Sequence, residues 1–324
     1  MGHRPRFLVT GGINHDVILR VSHDPVHDGT AYVLSSAEAL GGHAANCAVA
    51  LARLGADVAL KGAVGTDPAG DRALAALRDA GVSVATVIRT DRPTGQAFVV
   101  NGPEVHHMLL VRGANDDGPD VPPPRPEGPT GLTPDLLVVL DPPRTALERT
   151  LSTLAPHTQV VANPAGRITE LLPVLLAAAR PIVLVCNETE FARIGGPSTA
   201  SRLTARLRAL VVTRGPLGCR IHTAVGTADV PAVPAEAVDT TGAGDAFTAG
   251  LAAGLAAGAD LRRSAALAVA LGAVAVEAVG ASIRLPPSAH LRALLRDRGG
   301  PGLAGLLEPP HAAGRPEERS AACA

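Results

Sequence analysis

A rhythm restricts this chain more than any single residue does. Short apolar runs, each ended by glycine or a polar turn, are followed by segments with helical spacing of apolar side chains. Residues 7–10 run into Gly11-Gly12. Residues 44–54 carry apolar side chains at helical spacing and stop at Gly55, and residues 57–65 return to a strand-like run. Residues 71–80 predict a helix closed by Gly81, a residue type that tolerates the left-handed backbone just past a helix. Further strands are predicted at 136–140, 159–161, 182–185 and 210–212. Strands this short and apolar, separated by helices, have both faces to bury. A mainly parallel sheet covered by helices on both sides buries them, so the chain reads as α/β.

Two stretches break the rhythm. Residues 17–40 and 97–111 alternate as half-exposed antiparallel strands do, and read as β-like insertions. Residues 116–134 are rich in Pro and Gly and predict an exposed loop. Residues 1–298 are expected to form one domain, and 299–324 a disordered tail dominated by Pro, Gly, Ala and charge.

The densest chemical signal is Asp239-Thr240-Thr241-Gly242-Ala243-Gly244-Asp245, leading into the apolar run at 246–251. Glycines let backbone N–H groups turn toward one point, and the run predicts a helix whose N-terminus faces that point. Such an arrangement binds an anion without a side-chain cation. Asp245, in the first turn, is then placed to take a proton from a hydroxyl attacking phosphate. Taken alone, the same residues also describe a glycine turn with an acid complementing the helix dipole.

Other segments weigh against the plainer reading. The stretch from Asp239 to Phe247 resembles the C-terminal signature of the ribokinase-like (pfkB-type) carbohydrate kinases. Gly41-Gly42-His43-Ala44-Ala45-Asn46, continuing through Leu54-Gly55-Ala56 to Gly65-Thr66-Asp67-Pro68-Ala69-Gly70, resembles their N-terminal signature. The likeness runs from about residue 7 to about residue 286. It implies the ribokinase-like fold, with the two β insertions forming a small lid sheet that often serves as a dimer contact. It also implies an ATP-dependent kinase of a small sugar or polyol, with Asp245 as base and Gly242, Ala243 and Gly244 as anion hole.

The resemblance assigns further residues. Asn14 and Asp16, in a G-x-N-x-D pattern, match sugar-hydroxyl ligands, and carboxylate with amide is what polyol recognition needs. Gly42 and Asn46 belong to the same pocket, and Gly113-Ala114-Asn115 matches an element returning from the lid. Asn187 and Glu190 match an N-x-x-E motif that organises Mg2+ and phosphate, mainly through water. Asn187 as a helix N-cap, with acids in the first turn, is the alternative. Thr213, Gly215 and Gly218 match a T-x-G-x-x-G turn near the nucleotide, and Asp239 and Thr241, with a loop near residues 279–281, match a K+ site.

Two departures bear on the acceptor. His43 stands where ribokinases carry lysine, and Asp141 where they often carry glutamate. Ribose leads the expected acceptors, with another sugar, a nucleoside or an aminocyclitol behind it, and a non-catalytic sugar or nucleotide sensor as the rival function class. Aromatics at 2% leave little to stack a nucleobase and demand an aliphatic core. The net charge of −1 gives no electrostatic case for nucleic acid or anionic membrane.

The chain has no GxxxxGK[ST] for a Walker-type site, and Gly11-Gly12 lacks the dinucleotide-binding spacing. Charged residues interrupt the alanine-rich span 247–279, which predicts buried helices rather than a membrane span. Four scattered cysteines and the absence of an apolar leader fit a cytoplasmic protein.

Overall fold

The structure is a computed structural model that describes residues 4–25, 29–103, 106–117, 134–277, 285–286 and 288–299. Most of the loop expected at 116–134, the cation loop near 279–281 and the tail beyond Gly299 lie outside the described residues.

The strands are β1 (Arg6–Thr10), β2 (Asn14–Val21), β3 (Val33–Gly41), β4 (Asp57–Gly65), β5 (Val82–Thr90), β6 (Gly95–Asn101) and β7 (His106–Val111). The second half of the chain adds β8 (Leu136–Val139), β9 (Gln159–Ala162), β10 (Ile182–Asn187), β11 (Ala209–Thr213), β12 (Cys219–Thr223) and β13 (Gly226–Val230). The helices are α1 (His43–Arg53), α2 (Pro68–Asp79), α3 (Arg144–Thr153), α4 (Ile168–Ala177), α5 (Glu188–Arg193), α6 (Ala200–Thr204), α7 (Ala243–Ala256), α8 (Leu261–Val276) and α9 (Ser288–Gly299).

A nine-stranded sheet runs in the order β13-β12-β11-β10-β9-β8-β1-β4-β5. From β11 to β5 every pair is parallel, and the β12–β13 hairpin closes one edge antiparallel. One face packs α1, α2, α7, α8 and α9 in a largely Ala, Val and Leu core. The other packs α3, α4 and Phe191 of α5. The expected α/β frame is present, and the ends predicted for β4 match residue for residue.

With so few aromatics, tight packing of the helices falls to small residues. Along α7 a Cβ on Gly250 would lie 2.8 Å from Ala268 Cα, and one on Gly254 would lie 2.7 Å from Ser264 Cα. The backbones of α7 and α8 therefore touch through glycine, and α7 is buried from Asp245 to Leu255.

The lid is a four-stranded sheet, β3-β2-β6-β7. Its outer pairs are antiparallel, as expected, but its central pair, β2 with β6, is parallel. The difference follows from connectivity: β2 leaves after β1 and β6 after β5, so both run outward from the main sheet, and β3 and β7 are the return strands. Asp67, part of the second glycine-rich stretch, anchors this lid. Its carboxylate accepts from Gly70 N at 2.8 Å, capping α2, and from Thr94 N at 2.8 Å just before β6.

Candidate active site

In the main sheet the chain starts at β1, fills toward β5, then returns to β8 and fills toward β11. The connections thus reverse direction between β1 and β8, and the crevice beyond the carboxyl ends of such strands is where an open α/β sheet binds its ligand. Gly12, just after β1, donates its N–H to Asp141 Oδ1, just after β8, at 2.9 Å. The reversal point is therefore bridged by one of the predicted site residues.

A cleft of about 340 Å³ opens here. Asn14, Asp16, Gly42, His43, Asn46, Asp141, Thr241, Gly242 and Asp245 all line it, so residues from four separate stretches of sequence converge. Ala243 and Gly244 belong to the same turn but do not form its wall. The Ala243 N–H is engaged with Thr240 O at 3.2 Å, so of the three amides assigned to an anion hole this one is committed to the turn.

Asp245 is 3% exposed, in the first turn of α7. Asn46 Nδ2 donates to its Oδ2 at 2.9 Å, and His43 Nδ1 donates to its Oδ1 at 2.9 Å. Both donors come from the first turns of α1, so two helix N-termini meet at one carboxylate, where their dipoles favour negative charge. Each helix enters through a glycine with positive φ: Gly42 at 92° and Gly242 at 79°. A Cβ on Gly42 would also come within 2.5 Å of Gly12 O, so only glycine admits this approach of α1 to the β1 turn.

The His43 ring lies deep among the walls of the cleft, yet half of its side-chain surface is open to it. The Asp245 carboxylate raises the His43 pKa above its ordinary value, with burial opposing. Solvent on the open side screens the pair.

Asp16 is 5% exposed, packed over Gly41, where any Cβ would collide with its carboxylate. Burial pushes its carboxyl up to about 7, with His43 opposing and Asp245 reinforcing. Its Oδ1 is buried without a hydrogen-bond partner among the described residues. An acceptor-only oxygen in that state is suited to a hydroxyl donor. Asn14 is fixed by Asn115, whose Nδ2 donates to Asn14 Oδ1 at 2.7 Å while its Oδ1 accepts from Ile13 N at 2.9 Å.

The residues assigned to the nucleotide lie apart from this cleft. Asn187 and Glu190 form a reciprocal capping box on α5: Glu190 N donates to Asn187 Oδ1 at 2.8 Å, and Asn187 N to Glu190 Oε2 at 2.9 Å. Glu190 is buried, and its charge is the least of the causes that raise His43. Thr213 ends β11 beside Asn187, with which it pairs in register. Gly215 and Gly218 follow in a tight turn, with φ of 52° and 84°. Asp239 accepts from Thr241 N at 2.9 Å. Among the described residues no group of three or more His, Cys, Asp or Glu forms a metal cage. The donor set of Asn187 and Glu190 instead fits an ion that keeps most of its waters and is held largely by phosphate.

Outside the two lid segments, four cleft-lining residues carry no assignment from the sequence: Arg112, Ala165, Gly166 and Arg167. The last three form a 3-10 turn just beyond β9. The rule that marked Asn14 and Asp141, polar residues just beyond a parallel strand, also marks Asn163 and this turn. Arg112 precedes the Gly113-Ala114-Asn115 element and carried no signal of its own.

The family profile for pfkB family carbohydrate kinases matches residues 5–288. The chain is 31% identical over 304 residues to an ATP-dependent ribose-1-phosphate kinase from Halopiger xanaduensis, covering 90% of this chain and 99% of that protein. It is 29% identical over 309 residues to a ribokinase from Bacillus subtilis, covering 89% and 98%. Among solved structures it resembles a nucleoside kinase of the ribokinase family from Methanocaldococcus jannaschii, with TM-score 0.78, 21% identity and 92% and 100% coverage. No helix among the described residues is long and apolar enough to cross a membrane.

Proposed function

Because this chain belongs to the pfkB family of carbohydrate kinases, we propose that it transfers the γ-phosphoryl group of ATP to a hydroxyl of a small sugar, with Asp245 as base. The observation that carries this reading is the Asp245 carboxylate: buried, oriented by Asn46 and His43, and lining the same cleft as Asn14 and Asp16. The acceptor hydroxyl would lie against Asp245, which takes its proton as the oxygen attacks phosphorus. Asn14 and Asp16 would hold neighbouring hydroxyls, the unpaired Asp16 Oδ1 receiving one of them. Asp141 and Gly42 complete the lining of the cleft.

The amides of Gly242 and Gly244 would stabilise charge on the transferring phosphoryl, and an oriented donor at such a site is worth about 3 kcal/mol. His43, whose protonated form the Asp245 carboxylate favours, would add positive charge to the same end of the cleft. ATP supplies the phosphoryl group. The turn at Thr213, Gly215 and Gly218 is assigned to it, with Asn187 and Glu190 organising hydrated Mg2+. Asp239 and Thr241 are assigned to K+.

Three free cysteines, Cys47, Cys186 and Cys219, are buried thiols, which suits a reducing cytoplasm. The lid leaves Tyr32, Val33 and Leu34, and Met108 to Val111, exposed, and this apolar surface is assigned to a homodimer contact. ADP release with Mg2+ across sugars, nucleosides and cyclitols, with and without K+, tests the proposal. Ligand-dependent thermal shifts without ADP release from any acceptor would favour a sensor instead.

A further inference from the structure

Among the described residues, three hydrogen bonds from elsewhere in the chain reach the first turns of α7, residues 242–248. Two come from His43 and Asn46 of α1 and end on the Asp245 carboxylate. They fix the side chain of the base and leave the peptide before it untouched. That peptide carries the Gly244 amide, which is assigned to the transferring phosphoryl. The helix start gives it little support of its own. Gly242 at the N-cap has no side chain to close the turn, and the Ala243 N–H is engaged with Thr240 O.

The third bond comes from the main sheet. Asn163 directly follows β9, and its N–H is held by Val139 O of β8 at 2.7 Å. Its Nδ2 donates to Thr248 Oγ1 at 2.9 Å, and Thr248 Oγ1 donates to Gly244 O at 2.7 Å. A carbonyl oxygen only accepts, so the single hydroxyl proton is committed to Gly244, and only a donor can complete the pair from outside. The amide of Asn163 supplies that donor, where a carboxylate would compete for the same proton. Thr248 is fully buried in the stretch 246–255, whose other members are all Ala, Gly, Leu or Phe. A threonine bonded back to the carbonyl four residues earlier is common in helices. Here the hydroxyl is also gripped by a residue 85 positions away. The contact is close enough that a Cβ on Gly244 would lie 3.9 Å from Asn163 Nδ2.

We infer that Asn163, acting through Thr248, is a positioning residue for phosphoryl transfer. It holds the backbone of the first turn of α7, so that the Gly244 amide and the Asp245 carboxylate keep one mutual orientation. Neither Asn163 nor Thr248 lines the acceptor cleft, so the effect falls on the geometry of reaction and not on acceptor binding. A misplacement of about 1 Å at a reacting group is enough to cost about 10²-fold in rate. The inference rests on the kinase reading above for its effect on rate, but not for the tether itself.

The test is ADP release together with hydrogen exchange read by mass spectrometry, on the full chain and on variants at both ends of the tether. Asn163→Ala and Thr248→Val should each lower kcat about 10- to 100-fold, with KM for acceptor and for ATP within about threefold. Asn163→Asp should do no better than Asn163→Ala, whereas Thr248→Ser, which keeps the hydroxyl, should stay within about threefold of the unaltered protein. The double variant should lose about as much as either single one, because both remove the same bond. Deuterium uptake by the 239–248 segment should rise in both single variants. Alanine and valine cut the bond from opposite ends, so either one reports if the other lacks the native circular dichroism. An unchanged kcat, or a loss carried by acceptor KM, would overturn the inference. So would Thr248→Ser as slow as Thr248→Val, or losses that multiply in the double variant. If the unaltered protein releases no ADP with any acceptor, the kinase reading falls and uptake decides: faster exchange in both variants upholds the tether, and unchanged exchange overturns it.

Discussion

The two halves of the candidate site are built by opposite means. At the acceptor end, side chains far apart in sequence are tied directly: His43 to Asp245 across 202 positions, Asn46 to Asp245 across 199, Asn115 to Asn14 across 101. At the nucleotide end, Asn187 and Glu190 satisfy each other across three positions, and the Gly215 to Gly218 turn closes on itself. A pocket held by distant contacts has its geometry fixed by the whole fold. A motif satisfied locally keeps its shape wherever its helix goes, and its polar groups become ligands only by giving up the partners they have. The acceptor end should therefore behave as one coupled unit, and the nucleotide end as separable parts.

The sharpest way to break this contrast is Asp245→Asn. It keeps the shape but loses the base, and kcat should fall about 10³-fold while ATP affinity measured by titration stays within a factor of two or so. Comparable turnover in the two proteins would remove Asp245 from its role.

Asn115→Ala comes next. It strands the buried Ile13 N–H and frees Asn14, so urea denaturation should show a loss of about 2–3 kcal/mol together with a raised KM for the acceptor. A stability loss with no change in acceptor KM would show that the end is not coupled as described.

Asp16→Asn should act in opposite directions on binding and stability. The folded carboxyl is raised from its ordinary 3.8 to about 7. Over that window the folded protein keeps a proton that the unfolded chain has released, so stability falls as pH rises and the cost is complete above about 7. Removing the charge should raise Tm at pH 8, by about 1–2 kcal/mol of stability, leave Tm unchanged near pH 3.5, and weaken acceptor binding at both. A lower Tm at pH 8 would contradict the burial argument.

Asn187→Ala should have the smallest effect: about 1 kcal/mol from the lost cap, and a rise in KM for ATP without one for the acceptor. A change in both KM values would erase the contrast between the ends.

The same contrast explains what the sequence disclosed. Strands and helices were legible because burial on both faces imposes apolar runs, and β4 was found to its last residue. The 82–90 strand was not named: at the sheet edge only Val82 and Thr86 are buried, so its pattern is diluted. The parallel pairing of β2 with β6 is set by where two distant connections leave the main sheet, which no local pattern records. Asn187 and Glu190 could be read either as a cap or as ligands, because the two uses demand the same residues at the same spacing. Arg112 and Arg167 were invisible as site residues. Arginine beside an acid three or four positions on is ordinary helix and turn chemistry, and only the folded cleft shows that both residues line it.

The glycines at the α7–α8 contact have a practical consequence for anyone reworking this protein. Exchanging a mid-helix glycine for alanine is a routine route to a stiffer, more heat-tolerant variant. At Gly250 and Gly254 the added methyl has no room, with Ala268 and Ser264 backbone already inside contact distance. The helix would have to slide, and it carries Asp245 only five residues before the first of these glycines. Thermostabilisation by consensus or propensity should therefore begin on the sheet's other face, around α3 and α4, where no helix holds the base.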